Sequence, residues 1–565
     1  MKHIAFVFVV FTSMQAAAQH GSLQGFRPPL DIPLNLSGNF GEFRTNHFHS
    51  GLDIKTQGRE GLPVYAVTHG CVSRIKVSGY GFGNVVYIDH PNGYTTVYAH
   101  LSEFKEPIAS YLRESQYELE EWEVDLYPGE NRLCVDSSAV IALSGNSGSS
   151  GGPHLHFEVR ETESEHPVNP LLWNFPVADT RAPLLKGIQL SPLSDSSEIS
   201  GTRRSQLFET AASTGKVTLK STSPIPVSGA FGVGVHTIDL LDNNSNSCGI
   251  YRIVVTVDGE EVYEQRIDRL DFGLKRHMNA HADYQLLKKE KKSIHRTFTL
   301  PNNRLPIYKT IRGNGALSVA EGVSSTIEVE VFDVHGNASS VSFSVVGSPA
   351  KTKGGESQVL PEGARLFKYD TVNSIRTDSC NIFVPEGRLF DDAWCWIEPV
   401  ARRSTPYSSH YQIGNRYEPL NDNAMVSIRP SSIPEGKENK LLMVNYDPDR
   451  QRYRAVGGEL INGEVSARVT EFGEYAVAID DTPPLVSIVS FSRSSIECKV
   501  TDDLSGVDFI RAECDGQWIR MHYDPKRNLL WHKASEDGVI TPQSKQFSIE
   551  VRDERGNVRT LSRSF

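Results

Sequence analysis

Along most of this chain apolar and polar positions alternate with a period of two, interrupted every few residues by Gly, Pro, Asn or Asp. That is the pattern of half-buried β-strands joined by tight turns. "VVYIDHPNGYTTVYAHL", residues 85–101, reads as two strands around Pro91-Asn92-Gly93, and "PVYAVTHGCVSRIKV", residues 63–77, as another pair of short strands. Helical periodicity is nearly absent. The exception is the acidic segment "SEFKEPIASYLRESQYELEEWEVD", 102–125, which predicts a short helix. The pattern is all-β: an N-terminal antiparallel sheet domain with an open groove, followed by several β-sandwich (Ig-like) modules.

At 565 residues the chain is long enough for roughly three to five domains. The first spans 26–176, and after "NPLLWNF" the texture changes. An internal repeat then becomes visible. "DTRAP" begins at Asp179 and "DTPP" at Asp481; "GIYRIVVTVDG" runs from Gly249 to Gly259 and "GVDFIRAECDG" from Gly506 to Gly516; "VFDVHGN" ends in Asn337 and "VRDERGN" in Asn557. Two related sandwich modules account for this, one over 179–347 with an insertion near 262–310 and one over 480–565. Residues 350–478 form a further β domain between them.

Composition narrows the class. Hydrophobic residues make up 38% and charged residues 22%, ordinary for globular modules. The net charge of −11, without long basic runs, argues against nucleic-acid binding. The N-terminus "MKHIAFVFVVFTSMQAAAQ" has a basic start, an apolar run too short to span a bilayer, and a small-residue cleavage site. Residues 1–18 therefore read as a secretory signal peptide, with no Cys nearby to carry a lipid. No later segment reads as a transmembrane span, so a secreted or periplasmic protein is expected. Seven cysteines are too few for a disulfide-built scaffold. Proximity in sequence offers Cys380–Cys395 and Cys498–Cys514 as pairs.

The chemistry concentrates in three segments of the first domain. In "HLHFEV" side chains two apart share a strand face, so His154, His156 and Glu158 point one way and Leu155, Phe157 and Val159 into a core. Upstream, "NHFHSGLDIK" sets His49 four residues before Asp53, which on a strand would share a face. "VYAHL" adds His100, with Tyr98 on its face by the same alternation. Imidazole and carboxylate are ligands suited to zinc, and a catalytic zinc needs three of them. Two His and one Asp meet that need. Two more His remain for proton transfer and oxyanion stabilisation.

"HFHSGLDI", "YAHLS" and "SGNSGSSGGPHLHFEVR" resemble, in this order, the three signature segments of the LytM/lysostaphin-type zinc endopeptidases, which cut peptide cross-links of peptidoglycan. The resemblance covers about residues 38–174 and extends more loosely to the long Bacteroidetes-like form with β-sandwich modules behind the peptidase. It implies one Zn²⁺ held by His49, Asp53 and His156, with His100 and His154 as catalytic histidines. His100 and His154 lie further apart than in compact relatives, owing to the acidic segment, which is expected at a groove wall. Amidase-activating relatives lack ligands that this chain keeps.

Weaker features are weighed beside these. Arg44 is a candidate to orient a substrate carboxylate or to form a structural ion pair. Asn84 and Tyr98 are candidate groove contacts, and His47 is a groove residue rather than a ligand. His277, His281 and Asp283 have ligand-like spacing, but a structural role is favoured. "KKEKK", 288–292, reads as a solvated surface. "GYGFGN" and "GNSGSSGG" lack the context of phosphate loops. The expected function is a zinc endopeptidase acting on peptidoglycan peptide stems or cross-links, with envelope partners reached through the β modules. The alternatives are a non-catalytic envelope scaffold or amidase activator, and a protease of exported proteins.

Overall fold

A computed structural model describes residues 26–565 apart from 174, 222–223, 243, 350–359 and 537. The signal-peptide reading of 1–18 lies outside the described residues. The chain's regular structure is mostly strand, as its alternation predicts.

The first domain is a twisted, mainly antiparallel sheet. Its principal elements are β1 (Leu36–Gly38), β2 (Leu52–Lys55), β3 (Gly70–Val77), β4 (Asn84–Asp89), β5 (Tyr94–Leu101), α1 (Ile108–Leu119), β6 (Val124–Leu126) and β7 (His154–Glu161). The strand order is β1-β2-β7-β5-β4-β3-β6. One sheet face is the core, where Leu52, Ile54, Tyr98, Leu155, Phe157 and Val159 are fully buried. Register decides the rest. The β2–β7 ladder sets His156 directly opposite Asp53, and the β7–β5 ladder sets it opposite Ala99. The helix predicted in 102–125 forms as α1, its buried side formed by Ile108, Leu112 and Gln116.

Cys71 and Cys134 face each other across β3 and Cys134–Val135 and form a disulfide. The pairs expected from sequence proximity do not form. Cys380 and Cys395 lie on different sheets, as do Cys498 and Cys514, and all four remain buried thiols, as does Cys248.

Three further units follow. Strands between Leu184 and Gly347 make a two-sheet sandwich around its own core. Its insertion carries short helices at Phe272–His277, Met278–His281 and Tyr284–Glu290. Ile267, Leu270, Met278, Ala282, Leu305 and Ile307 from this region pack with Phe40 and Phe48 of the first domain. Residues 365–479 form two five-stranded sheets and one two-stranded sheet, and 485–564 two four-stranded sheets. Lys288 is committed rather than solvated: its Nζ donates to Glu471 Oε2 at 3.1 Å and to the Arg416 carbonyl at 3.2 Å.

The repeated motifs share local geometry. Asp258-Gly259 and Asp515-Gly516 both turn with positive φ at each residue, as a two-residue hairpin of this kind requires. Asn337 Nδ2 donates to the Asp179 carbonyl and Asn557 Nδ2 to that of Asp480. The final module folds back onto the first domain. Trp518 meets Tyr117 edge-on at 5.0 Å, Arg520 Nη1 donates to Gln116 Oε1 at 3.2 Å, and Lys526 Nζ donates to the Ser150 carbonyl at 3.1 Å. The acidic segment thus lies between the sheet and this module, where both line a cavity of about 690 Å³.

Candidate metal centre

Three side chains converge above the outer face of β2 and β7. His49 Nε2, Asp53 Oδ1 and His156 Nδ1 form a triangle with sides of 3.0, 2.9 and 3.1 Å. All three residues are at least nine-tenths buried. His156 and Asp53 are cross-strand neighbours, so register brings them together. His49 arrives differently. It is not on a strand with Asp53 but lies just before the bend at Gly51, which swings it back over its neighbour. Gly51 allows this. A Cβ there would lie 2.4 Å from the Phe157 carbonyl oxygen and 2.8 Å from Glu158 Cγ, so the His49 loop can only press against β7 without a side chain.

Hydrogen bonds outside the triangle fix the rings. His49 Nδ1 lies 2.8 Å from the Asn39 carbonyl oxygen and must carry its proton there. His156 Nε2 lies 2.9 Å from Glu158 Oε1 and in the neutral ring carries its proton there. The inward nitrogens of both neutral rings are therefore lone pairs, and the third corner is a carboxylate oxygen. Three acceptors face one another with no donor between them. Such a cluster needs a cation, and an outer hydrogen bond to each ring is how metal-bound imidazoles are held. In its absence a proton relieves the same crowding. Burial pulls His156 down, but hydrogen bonds and charge from Asp53 and Glu158 outweigh it and hold the ring up at about 9. Asp53 is held well below the usual carboxylate range by His49, His154 and His156, against its own burial. His49, fully buried, is pushed down.

The supports reach further out. Glu158 is fully buried, accepts from Ser50 Oγ and from Arg160 Nε at 2.6 Å, and is held down at about 2 by Arg160, His156 and Ser50 against its burial. Arg160 in turn stacks on Phe272 of the insertion at 4.6 Å. Asn39, whose carbonyl holds His49, also exchanges two hydrogen bonds with Gly249 of the sandwich module, at 2.9 and 2.7 Å.

Two more imidazoles flank the triangle. The rings of His100 and His154 stand 4.7 Å apart. His100 Nδ1 faces the Ser147 carbonyl at 2.9 Å and His154 Nδ1 the Gly152 carbonyl at 2.8 Å, so each presents a lone pair at Nε2. His154 Nε2 lies 3.5 Å from Asp53 Oδ1. Burial and the neighbouring imidazoles push His100 down to about 3, which keeps it neutral. His100 has φ of +60°, a left-handed conformation that is uncommon for a residue with a side chain and concentrates at functional sites.

That backbone turn corrects one expectation. Alternation puts Tyr98 on the face of His100, but the left-handed residue rotates His100 out over the groove. Tyr98 stays in the core opposite Phe157, fully buried, its hydroxyl 3.1 Å from the Val67 amide and 3.0 Å from Thr96 Oγ1. Tyr98 is no groove contact. Arg44 takes the ion-pair role: its Nη2 donates to Asp53 Oδ2 at 3.0 Å and to Glu42 Oε2 at 3.1 Å, steadying the carboxylate from behind. Asn84 Nδ2 donates to the Leu101 carbonyl at 2.9 Å, and Asn84 borders a cavity with Ser147, Gly148 and Tyr523. His47 is exposed, its Nδ1 on the Thr45 carbonyl. His277, His281 and Asp283 do not converge. His277 Nδ1 accepts from the Arg304 amide, His281 Nε2 meets His295 Nδ1 at 3.0 Å, and Asp283 caps the helix Tyr284–Glu290. Glu158 is the functional residue the sequence reading left without a role; continuing the strand alternation from His156 by one step points to it.

Residues 47–113 match the family model described as Peptidase family M23, and residues 364–480 that described as Zu5-like domain. The DD-carboxypeptidase/endopeptidase Mpg of Neisseria meningitidis is 33% identical over 127 residues, 22% of this chain and 23% of that protein. The peptidoglycan DD-endopeptidase ShyA of Vibrio cholerae is 31% identical over 160 residues, 27% of this chain and 31% of that protein. The catalytic domain of a mutant of the prophage-encoded M23 protein EnpA from Enterococcus faecalis shares 22% identity over 26% of this chain and 98% of its own, with a TM-score of 0.20. The chain spans about a quarter of the length of the curated relatives it matches.

Proposed function

We propose that this chain, which carries a peptidase family M23 domain of the LytM type, is a zinc-dependent endopeptidase that hydrolyses peptide bonds in peptidoglycan cross-links outside the cytoplasm. The observation that carries this reading is the buried triangle of His49, Asp53 and His156, in which the outer nitrogens of both imidazoles are held by acceptors outside it. His49, Asp53 and His156 would hold one zinc ion. Two imidazoles and a carboxylate are a common catalytic donor set, and their spacing approaches the 3.3–3.6 Å or so that tetrahedral ligands at about 2.0–2.2 Å require. Bound there, zinc supplies a Lewis acid that polarises a carbonyl and acidifies water.

The chain's own residues handle the protons. His100 and His154 each keep Nδ1–H on a backbone carbonyl and leave Nε2 free to take a proton, and then to give it to a leaving amine or hold it against a developing oxyanion. Burial keeps His100 neutral, so its Nε2 is an unprotonated acceptor in the resting site. The names of the similar proteins support the substrate class, since Mpg is described as a DD-carboxypeptidase/endopeptidase and ShyA as a peptidoglycan DD-endopeptidase. The Cys71–Cys134 disulfide supports an oxidising compartment, in keeping with a cleaved signal at 1–18.

The test is digestion of purified peptidoglycan by the mature protein beside His156→Ala, with zinc measured on both and products identified by muropeptide mass analysis. The reading predicts about one zinc per chain, opened cross-links, and loss of both in the variant. Zinc without release, with cleavage of an exported protein instead, would replace the substrate. Failure to hold zinc after reconstitution would sink the catalytic reading in favour of a binding scaffold.

A further inference from the structure

Where the linker leaves the peptidase domain and enters the first sandwich module, Asp179, Asp333 and His335 converge, with the Asp239 carboxylate close enough to feel their charge. Asp179 ends the linker, Asp239 follows the strand Phe231–Ile238, and Asp333 follows Ser324–Phe332. The ligand-type atoms of Asp179, Asp333 and His335 all lie within 4.8 Å of one another. Asp239 is 1% exposed and feels the charge of both other carboxylates.

The cluster is unusual in what it leaves unmet. Asp179 Oδ1 accepts from the Arg181 amide at 3.1 Å, and the Asp333 oxygens accept from the amide and the side chain of Asn337 at 2.9 and 2.6 Å. Asp179 Oδ2 and Asp239 Oδ1 are buried and, among the described residues, have no hydrogen-bond partner. Asp179 Oδ2 stands 3.8 Å from His335 Nδ1. The Arg181 guanidinium spends its Nη1 on the carbonyls of Leu241 and Asn244. Asp242, which accepts from Thr180 Oγ1, adds further negative charge. Buried acceptors left unpaired are costly, and crowded carboxylates more so. Burial and mutual repulsion accordingly push Asp179 up to about 7 and Asp239 up to about 8.

The frame occurs twice. Asp480, Asp502 and Asp553 converge at the start of the last module, with Asn557 clasping Asp480 as Asn337 clasps Asp179. There Asp502 Oδ1 is likewise without a partner among the described residues, and Arg555 stands at the position of His335. The first copy has the more deeply buried open oxygens.

We infer that the junction at Asp179 binds one calcium-type divalent cation through the carboxylates of Asp179, Asp239 and Asp333, locking the first sandwich module to the strap that leaves the peptidase domain. Carboxylates are hard oxygen ligands, which suit Ca²⁺ rather than a thiophilic metal. The site is separate from the catalytic triangle and does not depend on the proposed peptidase activity.

The test uses the full mature chain, stripped of divalent cations over a chelating resin and then reloaded with zinc. Calcium titration should give saturable heat and a rise in Tm. Asp239→Asn should abolish that rise or cut it to a remainder that Asp502→Asn then removes. In calcium-free buffer Asp239→Asn should melt at or above the wild type, because it removes repulsion. Should Asp239→Asn fail to fold, Asp179→Asn gives the same reading. No heat and no Tm change in millimolar calcium overturns the site, and so does a rise that Asp239→Asn retains in full. A rise with Zn²⁺ but none with Ca²⁺ overturns the assignment to an oxygen-seeking cation.

Discussion

Gly51→Ala should disable the metal centre without touching a ligand. A methyl at this position would sit 2.4 Å from the Phe157 carbonyl oxygen, 2.8 Å from Glu158 Cγ and 3.1 Å from His156 Cε1. Carbon atoms do not approach that oxygen closer than 3.0 Å, so loop and strand must part by at least 0.6 Å. Phe157 belongs to the central strand, paired on both sides, so the His49 loop is the part that yields. Metal–ligand distances tolerate about 0.2 Å, and a displacement three times larger pulls His49 Nε2 out of the triangle. Overpacking of this kind costs about 1–3 kcal/mol. If it falls on the metal-bound form, zinc affinity drops by roughly one to two orders of magnitude. Affinity is read by competition with a chromophoric chelator, and folding by thermal unfolding of the metal-free protein. Gly151→Ala is the control: it lies in the loop before His154, has no atom within 4 Å of its added methyl, and should bind zinc normally. If Gly51→Ala binds zinc within twofold of the wild type, the close approach is not what assembles the site.

Glu158→Gln should weaken zinc binding about 10–100-fold, as loss of an outer partner to a metal-bound imidazole does; unchanged affinity in the same chelator competition would strip Glu158 of that role. His100→Ala and His100→Gly should both lose muropeptide release. The glycine variant should be more stable than the alanine variant by about 1 kcal/mol, because only glycine occupies a left-handed position without penalty; equal urea midpoints would contradict the strain. Replacing Cys71 and Cys134 together by serine should lower stability by about 2–4 kcal/mol, seen as a Tm shift that reductant reproduces in the wild type, and a shift below one degree would show the link to be dispensable.

Much of this site was legible because strand alternation is a geometric rule. Two residues apart on β7 means one face, which put His154, His156 and Glu158 together and buried Leu155, Phe157 and Val159. The same rule failed at Tyr98 and His100, since a left-handed φ leaves no mark in residue types when the residue is not glycine. It also described His49 and Asp53 wrongly while pairing them rightly, because a bend brings them together where a strand was assumed. The carbonyls of Asn39, Ser147 and Gly152, which set the imidazole tautomers, carry no side-chain signature at all. Cys71 and Cys134, 63 residues apart, were paired by sheet register, a long-range property that spacing in sequence does not reveal.

The return of the last module onto the first has a consequence in time. Lys526 holds the loop that carries His154 across a separation of 376 residues. A ribosome adds about 5–20 residues per second, and domains fold in the order they emerge. The 350 residues between the end of the peptidase domain at 176 and Lys526 take roughly 18–70 s to be made, so that domain's sequence is complete well before the residue that clasps its loop exists. Every newly made molecule passes through an unclasped stage, and a chain truncated before its last module never leaves it.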